Sequence, residues 1–444
     1  MTRLPDENFL GAIMAVASFG PFDLIQNIIA SKQGDFTKYG VFTARFYVEG
    51  DWVEVITDTR LPSVRNPRSG VTIPLYGRCS GPNEFWIPLV EKAYAKALGT
   101  YEAIPKVKIQ DVLVHLTGGS VQVYQLNEHY AAGTAVYKEM WEKLKHYIQN
   151  DSVILAMPSK EKDGREKGTE DLEADGSAAI VDSDEVELNV GILQDRLYSI
   201  AAFREIGIIE LLMLRDPWGL QHFEGEWNEN SPKWDDYPDI LESIYEDPTI
   251  HWRREAPNGY IWMSYKEFVV LFKDLYFCKL FPDEKFNYYF CRGEWAGLTA
   301  GGPKHIVGAN KEEVVRQAKE SELIAFQRAT AAVVIDSDAS WFNNPQFMLQ
   351  AHKSTLVYIS VTPVGDPLKL PHVNVDIVSV PKSSSLSHLW DFTGCEQVTI
   401  DEGECPNVRT KGQESAIWQL KLDARNKYFI VPFTVRRGTP GTDR

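Results

Sequence analysis

The segment Gly81-Pro82-Asn83-Glu84-Phe85-Trp86-Ile87-Pro88-Leu89-Val90-Glu91-Lys92-Ala93-Tyr94-Ala95-Lys96 carries the strongest single signal in the chain. Over residues 83–98, Phe85, Trp86, Leu89, Val90, Ala93, Tyr94 and Leu98 recur at helical spacing, which puts them on one apolar face and assigns Glu91 and Lys92 to the solvent side. The same period runs through 9–29 and 137–149, whereas 40–57 alternates apolar with polar residues as paired strands do. Residues 152–157 form a short strand of the fully buried type. Residues 197–203 and 208–215 are strand-like, 217–219 is a turn, and 264–275 is an amphipathic helix. Beyond about residue 286 come short β-rich runs at 355–362, 372–380, 417–422 and 428–435, separated by Pro, Gly and Ser. One charged helical segment, 311–328, interrupts them. The pattern predicts an α+β fold that ends in an antiparallel β-sandwich.

At 444 residues and 50.3 kDa the chain is long enough for two to three domains. Apolar residues make up 44% and charged residues 24%, which excludes wholesale disorder and fibrous classes. No run of about 18 uninterrupted apolar residues exists, so no membrane span is expected. The chain opens on Pro5, Asp6 and Glu7 where a secretory leader would be basic. Five scattered cysteines, Cys79, Cys278, Cys291, Cys395 and Cys405, make neither a disulfide framework nor a zinc site and fit a reducing cytoplasm. A net charge of −16 argues against nucleic acid, because phosphate contacts need clustered Lys and Arg. P-loop, HExxH and dinucleotide fingerprints are absent. Residues 160–187 hold too few large apolar side chains to offset their ordering entropy and read as a solvated acidic insertion. The expected division is 1–157, 158–283 (containing that insertion) and 284–444.

The opening segment resembles the GNEFW…LLEKAYAK signature of calpains nearly residue for residue. Asp51-Trp52-Val53-Glu54-Val55-Ile56-Thr57-Asp58 through Leu61-Pro62 is similar to the strand pair that precedes that signature, and Leu116-Thr117-Gly118-Gly119 to the FTGG that follows it. Farther on, Arg215-Asp216-Pro217-Trp218-Gly219, Gly225-Glu226-Trp227 and Ser231-Pro232-Lys233-Trp234 resemble RNPWG…GxW…SPEW, and Ile261-Trp262-Met263-Ser264-Tyr265 resembles FWMSF. Leu298-Thr299-Ala300-Gly301-Gly302, Trp341 to Phe347 and Tyr428-Phe429-Ile430-Val431-Pro432 resemble hallmarks of the calpain β-sandwich. The resemblance implies a papain-like calpain protease core of two subdomains, 1–157 and 158–283, followed by the sandwich, 284–444. A calpain core begins well ahead of its cysteine, so the amino-terminal part of the first subdomain is expected to be missing or encoded elsewhere. No EF-hand loop follows.

Calpains cleave peptide bonds with a cysteine thiolate, a histidine base and an asparagine that orients the imidazole, helped by an oxyanion glutamine. Aligning the motifs places Asn8 of Asn8-Phe9-Leu10 at the cysteine. Arg196 of Asp195-Arg196-Leu197-Tyr198-Ser199-Ile200 falls at the histidine, and Asp216 at the asparagine. Thr2 falls about where the oxyanion glutamine would stand. An amide is no useful nucleophile at neutral pH, and a guanidinium holds its proton to above about pH 12 and has no acceptor, so it cannot act as general base and a pseudoprotease is expected. Arg196 and Asp216 would then form a charge-assisted pair in place of the catalytic contact. Cys79 reads as a structural thiol.

The resemblance also implies two calcium sites. Glu84 matches one ligand of the first, and the second maps onto His222, Glu229, Asn258 and Tyr260, where most carboxylates have been replaced. Calcium prefers six to eight oxygens with several carboxylates, so binding here is expected to be weak and no cofactor is called for. Asp182, Asp184, Glu185 and Glu187 read as a solvated face. Trp218 is expected as a cleft wall, and Trp227, Trp234 and Trp262 as core and cleft-wall packing. The resulting reading is a cytoplasmic calpain-like cysteine peptidase homologue that binds protein partners or a peptide in a residual cleft as a scaffold or regulator. Similar non-catalytic proteins of protists suggest cytoskeletal or membrane-associated roles. The competing readings are an active calcium-dependent cysteine endopeptidase, and a truncated fragment of a larger calpain-like protein.

Overall fold

A computed structural model describes residues 6–159, 187–188, 191–301, 306–307 and 334–434, with short breaks at 22, 33–37, 66–69, 71, 80, 82–83, 195, 217–218, 220–222, 257, 297–299, 336–338, 363–372, 392–393 and 399–415. The expected insertion at 160–187, except Glu187, and the charged segment 311–328 lie outside the described residues. The chain divides into two compact units, 1–286 and 287–444.

The first unit is built on a six-stranded antiparallel sheet. Its strands are β3 (Ser120–Gln125), β4 (Ser152–Pro158), β5 (Tyr198–Ile206), β6 (Ile209–Arg215), β7 (Tyr260–Ser264) and β8 (Phe272–Lys279), in the order β7-β6-β5-β4-β8-β3. Alternation along the strands divides their side chains between two apolar layers. Val153 and Leu155 of β4 join one cluster with helices α1 (Glu7–Ala17), α2 (Trp86–Leu98) and α3 (Ile109–Thr117). Ile154 and Ala156 join another with α4 (Ala135–Gln149) and α5 (Tyr265–Leu271). Leu211 and Met213 of β6 face a third cluster containing Trp227, Trp234, Trp252 and Trp262, which confirms these tryptophans as packing. The hairpin β1 (Val41–Val48) and β2 (Asp51–Asp58) turns at Glu49 and Gly50, both at positive φ (54° and 83°), the geometry of a two-residue turn that matches strand twist.

Three local expectations need correction. The run 9–29 is not one helix: α1 stops at Ala17, ahead of Gly20-Pro21, and a five-residue helix Leu24–Ile28 follows. The stretch 264–275 is a helix only to Leu271. Ser264 caps α5 by accepting from the Glu267 amide, and the chain then turns into β8, whose apolar residues are buried on both faces between β4 and β3. The third correction is in α2. Glu91 was assigned to solvent, yet it is 1% exposed, because Ile87, Glu91 and Ala95 form a second buried stripe. Phe85, assigned to the apolar face, precedes the helix and is exposed.

In the second unit, four antiparallel strands lie in the order Phe347–Gln350, Asn426–Thr434, Val373–Pro381 and Glu396–Gln397, and Thr355–Val361 pairs with Ala416–Leu422. Val375, Ile377, Tyr428 and Ile430 of the sheet share a cluster with Leu420 and Leu422 of the pair. Val378, Val380, Phe429 and Val431, on the opposite face of the sheet, pack with Trp341 and Phe342. The fold is α+β with antiparallel sheets, as the sequence pattern predicts.

Candidate functional site

Asn8, Arg196 and Asp216 sit at element ends within the first unit. Asn8 is in the first turn of α1, half-buried. One turn on, Gly11 presses against the residue next to Arg196: a Cβ there would lie 2.9 Å from Leu197 Cβ. Residues three apart share a helix face, so the absence of a side chain at Gly11 brings the Asn8 face of α1 up to the start of β5. Arg196 lies two residues before that strand, and Asp216 immediately follows β6, its antiparallel neighbour, so pairing across the sheet carries both to the same edge. Their charged groups meet at 3.7 Å (Nη1 to Oδ2), with side chains 10% and 1% exposed. At this distance the contact is an ion pair and not a bidentate hydrogen-bonded fork. Its backbone is fixed as well: the Asp216 amide donates to Gly259 O at 2.8 Å, and the Gly219 amide donates to Asp216 O at 3.1 Å.

Removing one partner of such a buried pair leaves the other charge stranded, typically at about 3–5 kcal/mol. The guanidinium beside Asp216 has five donors and no acceptor, so Arg196 itself cannot serve as a general base. Nor does either described cysteine of the first unit, Cys278 or Cys79, carry the features of a stand-in nucleophile. Cys278 is fully buried on β8, 3.3 Å from Thr117 Oγ1, and burial pushes its thiol up to about 12. Cys79 is half-buried, and burial, with the Glu84 carboxylate adding to it, raises its thiol also. Reactive cysteines need the opposite shift.

The remaining predicted positions are dispersed. Glu84 is exposed ahead of α2 and folds back on Gly81. Glu229 is half-buried in a turn, and its carbonyl accepts from Arg254 Nε at 2.8 Å. Asn258 is exposed with φ +53°, and Tyr260, on β7, lies under the Arg215 guanidinium at 5.4 Å. Thr2, Trp218 and His222 lie outside the described residues. Among the described residues no group of three or more His, Cys, Asp or Glu side chains is arranged to hold a metal ion. A groove of about 510 Å³ between β2 and α2 already engages its two lysines, Lys92 with Asp58 and Lys96 with Ile56 O.

Periodicity missed two polar features. The Asp6 and Glu91 side chains, 0% and 1% exposed, lie beside each other under the start of α1, and Glu91 Oε2 accepts from the Gly77 amide at 2.8 Å. Burial, reinforced by Asp6, raises the Glu91 carboxyl to about 9. The i, i+4, i+8 stripe Ile87, Glu91, Ala95 was the available signal. The second feature is Arg254, which has no periodic signature.

A model of the calpain family of cysteine proteases matches residues 3–279. The chain belongs to the calpain family. Calpain-type cysteine protease DEK1 of Zea mays is 30% identical over 366 residues, covering 81% of this chain and 15% of that protein. Calpain-12 of Mus musculus is 26% identical over 293 residues, 63% of this chain and 35% of that one, and Calpain-14 of Homo sapiens 27% over 312 residues, 67% and 39%. The chain therefore spans well under half the length of these curated plant and animal relatives. Among the described residues no helix is long and apolar enough to cross a membrane.

Proposed function

We propose that this calpain-family chain is catalytically inactive at the position of the family's triad and acts by binding a peptide or protein partner in the retained cleft. In this reading Asn8, Arg196 and Asp216 stand where the nucleophile, base and orienting residue would be. The buried Arg196–Asp216 ion pair carries the argument. A guanidinium fixed beside Asp216 at the histidine position cannot take a proton from a nucleophile, and the Asn8 amide is no useful nucleophile to activate. Trp218 would form a cleft wall. The division into two protease subdomains, 1–157 and 158–283, and a calpain-type sandwich from 284 belongs to the same reading, as do a cytoplasmic location and scaffold or cytoskeletal partners.

The name of the family favours one rival, an active calcium-dependent cysteine endopeptidase. The two readings separate in a casein or generic peptide assay run with and without calcium on the unmodified chain and on Asn8→Cys/Arg196→His/Asp216→Asn. The proposal expects no turnover from the unmodified chain above a heat-denatured control. Hydrolysis that survives protease-free purification and is blocked by a thiol reagent would overturn it. Turnover regained by the triple variant would confirm the positional assignment.

A further inference from the structure

Arg254 lies in the loop that enters β7, and its guanidinium reaches into a different loop. Nε donates to Glu229 O at 2.8 Å, Nη2 donates to Ser231 O at 3.1 Å, and Nη1 and Nη2 reach the two Asp235 carboxylate oxygens at 2.8 and 3.4 Å. The Arg254 amide donates to Tyr245 Oη at 3.2 Å. One planar fork thus ties residues 229–235 to residues 253–259. The first of these segments is anchored from beneath: Trp227 and Trp234 are buried with ring centroids 4.8 Å apart, and Trp234 Nε1 donates to Asn228 O at 2.8 Å. Trp252, two residues before Arg254, stacks at 5.1 Å on Trp234.

The second segment ends at Gly259, whose carbonyl accepts from the Asp216 amide. Gly259 has φ +78°, and a Cβ on it would lie 2.9 Å from Gly219 Cα and 3.2 Å from Asp216 O, so the loop rests directly on the chain around Asp216. Arg254 is thus five residues along the chain from Gly259, which contacts the backbone of Asp216, the anion of the Arg196–Asp216 pair.

The resemblance to calpains implies a second calcium site at His222, Glu229, Asn258 and Tyr260, the last three of which are among the described residues. The residues present do not fit a calcium ion. Calcium calls for six to eight oxygens, several of them carboxylate, yet Tyr260 brings a phenol facing a guanidinium and Asn258 an amide. The Glu229 carbonyl already accepts from Arg254, a fixed positive charge that would oppose a dication beside it.

We infer that Arg254 acts as a tethered cation that cross-links the 229–235 and 253–259 loops, so that the geometry around Asp216 is set without calcium. Its guanidinium is planar and permanently charged, and so suited to holding two carbonyls and a carboxylate at once. The lowering of the Asp235 carboxyl below its ordinary value, chiefly by its hydrogen bond to Arg254, is in keeping with this. The inference concerns the shape of this half of the unit and holds whether or not the cleft cleaves peptides.

Hydrogen–deuterium exchange on the full chain, read in peptides containing Asp216 and Gly259, tests it. In the unmodified chain, millimolar calcium chloride should change neither exchange nor thermal midpoint. Arg254→Met should speed exchange in both peptides about tenfold, and Arg254→Lys, which keeps the charge without the fork, should recover only part of the protection. Should Arg254→Met fail to fold, Asp235→Asn removes one exposed arm and should still speed exchange about threefold. Calcium-induced protection in the unmodified chain would overturn the inference, and so would unchanged Asp216 exchange in the Arg254 or Asp235 variants.

Discussion

Replacing Glu91 by glutamine should change how stability depends on pH more than how large it is. The carboxyl is 1% exposed, lies beside Asp6, and holds its proton up to about 9 because burial, and then the neighbouring Asp6, penalise its charge. In the unfolded chain the same group titrates near 4.5. Between those two values the folded chain binds a proton that the unfolded chain has released, so stability falls as pH rises, by up to about 1.4 kcal/mol per pH unit. The contribution is complete below the unfolded value and is lost as pH climbs through the folded one. At pH 7 the accumulated cost is on the order of 2–3 kcal/mol, after allowing for the sharing of the proton with Asp6. Glutamine keeps the shape, can accept from the Gly77 amide and donate to Asp6, and is neutral in both states, so it carries no such slope. Urea denaturation from pH 5 to pH 9, followed by near-ultraviolet circular dichroism, should show the two proteins nearly equal at pH 5. The variant should be more stable by about 2–3 kcal/mol at pH 7, with the gap widest near pH 9. Parallel profiles, or a variant less stable at neutral pH, would mean that Glu91 is ionised in the fold and would refute the reasoning.

The Arg196–Asp216 pair should behave as one unit: Arg196→Ala and Asp216→Ala should each cost about 3 kcal/mol, and the double variant should cost at least about 1 kcal/mol less than their sum. Additive losses in a denaturation cycle would show that the two charges do not act on each other. In iodoacetamide labelling at neutral pH, exposed Cys291 should react promptly and Cys278 only after unfolding, because burial holds its thiol near 12. Prompt modification of Cys278, read by peptide mass spectrometry, would reopen it as a nucleophile.

Period and turn chemistry made most of the elements legible. The strands of 40–57 and 208–215 and the helix of 137–149 fall within a few residues of where alternation and 3.6-residue spacing put them. Failures came where burial is not one-sided. In α2 both the expected apolar face and the Ile87, Glu91, Ala95 stripe are covered, and a binary pattern cannot mark a carboxyl kept inside by a second carboxyl. In β8 both faces are packed, so its apolar run read as a continuation of α5. The site divides along the same line. Arg196 and Asp216 lie far apart in sequence, and only the family resemblance suggested that they meet, whereas no pattern points from Arg254 to Glu229, Ser231 and Asp235. These contacts share one physical logic, in which a charge taken from water is met by a partner covalently part of the chain: guanidinium to carboxylate at Asp216, guanidinium to carbonyls and carboxylate at Arg254. A site that has to bind an ion or shuttle a proton needs a group left open until its ligand arrives. Filling those groups from within trades that responsiveness for a fixed shape.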